Sequence, residues 1–277
     1  MAKKRRKKKS AGLSPKAKMA MMFLGGLLLV GLIFAWITTR PETGEKEQAV
    51  CVLVVDRTGS SNDAKTVAIY KRRAESAVEG CRKKQASMSI YYFDQTSQKL
   101  ILVSDKPFPL WLPLGRKPAV QKQELEETIA EANESLATVF AKPPVSVRGS
   151  DILTALNAAS ENLYNRGAED GIDQLYLIML TDGIQTSGSI NVESFGDASV
   201  TVDSLVEAAR ANGLIPETLE GVQVSFIGVN SGLDPSGAET ANVVAAKTED
   251  FWRKIVAGGG GQTCTYVVDS EVIPVSC

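Results

Sequence analysis

No histidine occurs anywhere in the 277 residues. That absence rules out a Ser-His-Asp triad and leaves no imidazole for a zinc site. Cysteine is scarce as well: Cys51, Cys81, Cys264 and Cys277 are the four, and no two are spaced as C-x-x-C. An even number without zinc spacing points to disulfides in an oxidising compartment, with buried free thiols at Cys51 and Cys81 as the alternative. The one low-complexity tract, Gly258–Gly261, lacks the lysine of a phosphate-binding loop and reads as a helix stop and turn. Acid is missing from residues 1–18, which hold nine of the 31 Lys and Arg. The remaining 22 basic residues face 32 acidic ones, so residues 19–277 carry −10 behind a formal net charge of −1.

Charge is next missing from Met19 to Ile37, MAMMFLGGLLLVGLIFAWI. Nineteen residues at ~1.5 Å each reach about 28 Å, the hydrocarbon thickness of a bilayer. A cleaved signal peptide would have a shorter apolar core and small residues at a cleavage site, and none follow Trp36. The reading is therefore a cytoplasmic basic tail (1–18), a transmembrane helix (19–39), a linker (40–48) and an extracytoplasmic domain (49–277), oriented by the positive-inside rule. Beside a membrane span, the tail serves topology and anionic lipid, with no role assigned to nucleic acid.

Within the domain, AVCVLVVD and QLYLIML are continuous apolar runs, as expected of parallel strands buried on both faces. Helical periodicity covers roughly Asp63 to Glu79, ended by Gly80, and then Leu125 to Val139, a segment opening near Ser150, Val202–Asn212 and Ala241–Ala257. SMSIYYFD and KLILVSD read as a hairpin, VQVSFIGV and TYVVD as later strands. Residues 106–118 contain Pro107, Pro109, Pro113 and Pro118, which exclude helix and central strand. Strands alternating with helices predict a three-layer α/β domain: an open, mostly parallel sheet with one antiparallel edge strand and helices on both faces.

In such a sheet, ligand sites lie beyond the carboxyl ends of the strands. Three segments bring oxygen-bearing side chains there: Asp56-Arg57-Thr58-Gly59-Ser60, Gly149-Ser150-Asp151 and Thr181-Asp182-Gly183. The pattern resembles the metal-ion-dependent adhesion site of von Willebrand factor A domains, whose usual form is D-x-S-x-S, then a Thr in a Gly-rich loop, then T-D-G. The likeness covers most of residues 49–270. Thr58 stands where Ser is usual and Ser150 where Thr is usual; both keep a hydroxyl.

The resemblance implies Mg²⁺, or Mn²⁺ or Ca²⁺, held by Asp56, Thr58, Ser60, Ser150 and Asp182. A hard cation held largely by neutral hydroxyls stays electrophilic and favours a carboxylate from a protein partner, which makes the site a binding device for adhesion or envelope-complex assembly. The alternative is a metal-free scaffold subunit of a membrane complex. A hydrolase is disfavoured: aspartyl-phosphate enzymes want a second Asp two residues on, where this chain has Thr58. Strand one rises from the membrane side, so Cys51 at its start and Cys81 at the end of helix one share the lower edge and are candidates to pair. Cys264 and Cys277 would then staple the C-terminus; the other two pairings stay open. The proline-rich stretch belongs to the same edge, where Phe108 and Trp111 either face the bilayer or cap the domain's own core.

Overall fold

The computed structural model describes residues 47–277 except 62, 95–96, 105, 113–114, 116, 143–148, 187, 231–237, 270–272 and 274–276, together with the backbone alone of a few more, Ser60 among them. The basic tail, the predicted membrane span and most of the linker lie outside the described residues, among which no helix is long and apolar enough to cross a membrane. The chain divides into two units, Met1–Thr43 and Gly44–Cys277; the fold below is that of the second.

Strand β1, Ala49–Asp56, is buried along its whole length. Val50, Val52 and Val54 enter one core, while Ala49, Cys51, Leu53 and Val55 enter the other. The period-two alternation of a strand puts apolar side chains on both faces, and only a sandwiched central strand can bury both. Its neighbours are β2 (Ala86–Asp94) and β5 (Gln174–Leu180), both parallel to it. Beyond β5 come β6 (Val222–Ile227) and β7 (Gln262–Val267), again parallel. On the other side β2 pairs antiparallel with β3 (Ser97–Leu102) and with a two-residue β4 (Phe108–Pro109). The sheet order is β3-β2-β1-β5-β6-β7, with β4 also on β2. The expected single antiparallel edge strand is thus two short ones; Pro109 has no N–H to donate, which suits an edge pairing of two residues.

Helices α1 (Ala64–Lys83) and α2 (Pro118–Ala141) cover one face. The other is covered by α3 (Ile152–Asp170), α4 (Val202–Ala211) and α5 (Ala238–Gly258). Asp63 caps α1 by accepting from the backbone N–H groups of Lys65 and Thr66. The helix continues through Gly80, where the sequence pattern predicted a stop. Ala77, Val78 and Cys81 are all buried, and that packing outweighs the ~1 kcal/mol helix penalty of a glycine. Strand order reverses between β1 and β5, so the topological switch point lies at the ends of the two strands that sequence reading singled out.

At the lower edge, Cys51 is bonded to Cys81 with Cα atoms 6.3 Å apart, and Cys264 to Cys277 at 5.0 Å. Phe108 lies at that edge beside Met88, as expected, but points inward: it is 5% exposed and belongs to the α1/α2-side core. A membrane contact through Phe108 is therefore corrected; an aromatic ring gains more from a closed core than from half-exposure. Trp111 is half-buried. After β7 the chain is tied down by more than the Cys264–Cys277 bridge. Asp269 accepts from the side chains of Arg72 and Arg73 on α1, Ile273 is buried in the α1/α2-side core, and the Cys277 N–H donates to Gln223 Oε1 at 3.2 Å.

Two outcomes follow from these ties. Cys51→Ala/Cys81→Ala opens a 30-residue loop, and thermal unfolding should show a loss of about 3–4 kcal/mol, larger than for Cys264→Ser/Cys277→Ser with its 13-residue loop. The Asp269 carboxyl is held below the ordinary range, first by its hydrogen bond from Arg73. A depressed carboxyl stabilises above its unfolded pKa and loses that contribution as pH falls through the lower folded value. Asp269→Asn should therefore flatten the loss of stability below about pH 4, whereas an unchanged acid limb would show that the clamp contributes nothing.

Candidate functional site

β1 ends at Asp56 and its partner β5 at Leu180, which is aligned with Val55. The chain therefore delivers Asp56 and Thr181 to the same level of the carboxyl edge. Asp56 is fully buried and saturated by hydroxyls. Its Oδ1 accepts from the Thr58 backbone N–H at 2.9 Å and the Thr58 hydroxyl at 2.6 Å, and its Oδ2 from the Thr181 hydroxyl at 2.8 Å. The Thr58 and Ser150 hydroxyl oxygens are 2.6 Å apart. Ser150 is set just before α3 by two bonds to Thr186: its N–H donates to Thr186 Oγ1, and its carbonyl accepts from the Thr186 N–H. Gln185 accepts from the Leu153 N–H at 3.0 Å, tying the loop after β5 to the first turn of α3.

Asp182 is also fully buried. Its Oδ1 accepts from the Ile184 N–H at 2.9 Å and its backbone carbonyl from the Asn230 N–H at 2.8 Å. Of the five residues predicted as ligands, the structure gathers Asp56, Thr58, Ser150 and Asp182 at one edge. Ser60 has its backbone in the 3-10 turn Gly59–Ser61, on the same loop, and its side chain lies outside the described residues.

Burial drives the electrostatics. It raises the Asp56 carboxyl above the ordinary range, against the opposing hydrogen bonds from Thr58, Thr181 and Ser61. The adjacent Arg57 guanidinium donates to the Lys142 carbonyl at 2.8 Å and lies 5.8 Å from the Phe140 ring centre. Burial lowers its affinity for a proton, and the nearby Asp56 charge works the other way. Tyr70 reaches in from α1, its hydroxyl donating to Ser61 at 3.4 Å. Burial pushes its ionisation well up, and the charges of Asp182 and Asp56 add to that.

The donor set is all oxygen: two buried carboxylates at one edge, with the Thr58 and Ser150 hydroxyls beside Asp56. That chemistry fits a hard divalent cation and would fit a soft one poorly. Among the described residues no group of three or more His, Cys, Asp or Glu is arranged to hold a metal, so any ion here depends on the hydroxyls.

Sequence reasoning did not assign roles to Ser61, Thr181 or Tyr70. Ser61 adjoins the first motif and Thr181 stands inside the third, so both were within reach of a reading that counted hydroxyls. Tyr70 was visible only as an apolar position of α1. Its place depends on a residue 158 positions away: a Cβ on Gly228 (φ +89°) would sit 2.2 Å from the Tyr70 ring. Gly228→Ala should accordingly destabilise the fold by more than about 2 kcal/mol in chemical denaturation, through ring clash and backbone strain together. A loss below about 0.5 kcal/mol would contradict this packing.

No family model matches the sequence, and no curated protein matches it. Among solved structures the chain is similar to proximal thread matrix protein 1 from the mussel byssus, at 17% identity and a TM-score of 0.36, covering 74% of this chain and 49% of that one. It is also similar to the pilus adhesin SpaC from Lactobacillus rhamnosus GG in its open conformation, at 13% identity and a TM-score of 0.40, covering 77% and 30%. The manganese-loaded TRAP protein of Plasmodium vivax is similar at 14% identity and a TM-score of 0.33, covering 72% and 63%. The chain spans less than two thirds of the length of each.

Proposed function

We propose that the Gly44–Cys277 unit is a von Willebrand factor A-like binding domain that takes one divalent cation, Mg²⁺ with Mn²⁺ or Ca²⁺ as substitutes. Asp56, Thr58, Ser60, Ser150 and Asp182 would hold it. One observation carries the reading: two fully buried aspartates and the Thr58 and Ser150 hydroxyls converge at the switch point of a parallel sheet. Two buried carboxylates at one strand edge repel each other, and a cation relieves that repulsion without a basic side chain entering the site. When bound, the ion supplies Lewis acidity toward an oxygen ligand. The chain's own part is to fix the hydroxyls and to leave room for a carboxylate from a protein partner, in adhesion or in assembly of an envelope complex.

The function is binding rather than catalysis. The chain has no histidine, and the residue two beyond Asp56 is Thr58, whose hydroxyl is engaged with Asp56 and Ser150. Residues 19–39 anchor the domain in the cell membrane with the N-terminus cytoplasmic. The start of β1 and the metal edge are opposite ends of an eight-residue strand.

A second reading, a metal-free scaffold, is favoured by one feature. Thr58, Thr181 and Ser150 already bond Asp56 and one another, so the network is closed without an ion.

Isothermal titration of the full chain in detergent separates the two. The metal reading predicts a single Mn²⁺ or Mg²⁺ site weakened at least about tenfold in Asp56→Ala. Equal affinity in the two proteins, or no heat from the parent, would leave the scaffold. Orientation has its own measurement: protease added to intact cells or spheroplasts should digest a C-terminal tag and spare an N-terminal one. Recovery of a soluble chain beginning near residue 40 would instead identify a cleaved leader.

A further inference from the structure

The loop that carries Asp182 is held from outside by one helix side chain whose position in the sequence gives no hint of the role. Trp252 on α5 is fully buried, and its indole Nε1–H donates to the carbonyl of Gly183 at 2.9 Å. Gly183 directly follows Asp182. Its backbone is left-handed (φ +79°), and a Cβ there would come within 2.9 Å of the Tyr266 hydroxyl and 3.6 Å of Trp252 Nε1. Glycine is what lets this backbone lie against the Trp252–Tyr266 pair.

Three of the loop's fixed points lie at residues 181–183. The Thr181 N–H donates to the Ile227 carbonyl at 3.0 Å, and the Asp182 carbonyl accepts from the Asn230 N–H at 2.8 Å. The third is the Trp252 bond. The first two are backbone contacts with the end of β6 and the loop beyond it; the third comes from a helix on one face of the sheet. The indole itself has little freedom. Its ring centre is 5.4 Å from that of Phe226 and 5.1 Å from that of Phe251, and Phe226 in turn packs 5.8 Å from Tyr266. A donor fixed this firmly sets the orientation of the Gly183–Ile184 peptide, whose Ile184 N–H donates to Asp182 Oδ1 at 2.9 Å, and with it the direction of the Asp182 side chain.

We infer that Trp252 is a positioning residue for the cation site: it aims Asp182 by holding Gly183, and it couples occupancy of the site to α5. This rests on the metal reading above. The coupling is reciprocal by thermodynamic linkage, so an ion that draws on Asp182 must be felt at the indole.

The test uses the full chain in detergent with Mn²⁺ or Mg²⁺ as the probe. Trp252→Phe keeps an aromatic ring in the cluster and removes the donor. Phe251→Leu disturbs the same cluster, leaves the indole donor in place, and controls for general loosening. The expected result is a Kd for Mn²⁺ weakened about three- to tenfold in Trp252→Phe and unchanged in Phe251→Leu, at comparable losses of Tm. A second measurement needs no folded variant. With 5-fluorotryptophan incorporated, the Trp252 fluorine resonance should move during a Mg²⁺ titration with the calorimetric Kd, while that of Trp111 stays put. Cation binding with a stationary Trp252 resonance would overturn the inference and leave the metal site standing, as would Kd values that track Tm equally in both variants. Absence of cation binding in the parent would remove the metal reading and this inference with it.

Discussion

Asp56 and Asp182 are placed, fully buried, at the carboxyl ends of neighbouring parallel strands. Taking a carboxylate out of water is costly unless its oxygens are bonded or its charge is met. Arg57, next in sequence to Asp56, donates its guanidinium to the Lys142 carbonyl and lies over the Phe140 ring. The burden falls on hydroxyls and backbone N–H groups. Thr58, Thr181 and Ser61 bond Asp56, and Ile184 N–H bonds Asp182. Even so, burial leaves the Asp56 carboxyl above the ordinary range. Two buried acids at the switch point are therefore the constraint that the neighbouring hydroxyls and N–H groups answer.

The surrounding architecture can be understood as support for that edge. The two cores sandwich β1 so tightly that none of its residues is exposed, which gives Asp56 a fixed starting point. Tyr70 approaches from α1 through the gap left by Gly228. Ser150 stands just before α3, where Thr186 binds it to the loop after β5 and Gln185 binds the same loop to Leu153 in the first turn of the helix. The lower edge is fixed by different means, the Cys51–Cys81 bridge, while the clasp of Asp269 by Arg72 and Arg73 holds the chain just past the carboxyl end of β7. A covalent bridge therefore secures the end of the sheet away from the acids, and hydroxyls bond the end that carries them.

Much of this was legible in the chain. β1 and β5 could be read because their apolar runs are continuous, and each leads directly to an aspartate. The Cys51–Cys81 pairing followed from placing both residues on one edge of a parallel crossover. Legibility failed where tertiary packing overrode a local signal. Gly80 reads as a stop, yet α1 runs past it because Ala77, Val78 and Cys81 bury its last turn. The proline-rich stretch reads as loop, yet Phe108 pairs with Met88 and turns into the core. The supporting donors were the least visible: Trp252 lies 69 residues from the carbonyl it holds, and no spacing rule reports such a contact.

The central claim is that the oxygens of Asp56, Thr58, Ser60, Ser150 and Asp182 form one cation site. Crystals of the protein soaked in MnCl₂, with anomalous data collected at the manganese edge, test it most directly. The account predicts a single strong anomalous peak within coordination distance of the Thr58 and Ser150 hydroxyls, with Asp56 and Asp182 in the same cluster directly or through water. Manganese scattered over surface carboxylates, with the Thr58–Ser150 hydrogen bond intact and no peak beside it, would contradict the claim and leave the two aspartates as a closed structural network.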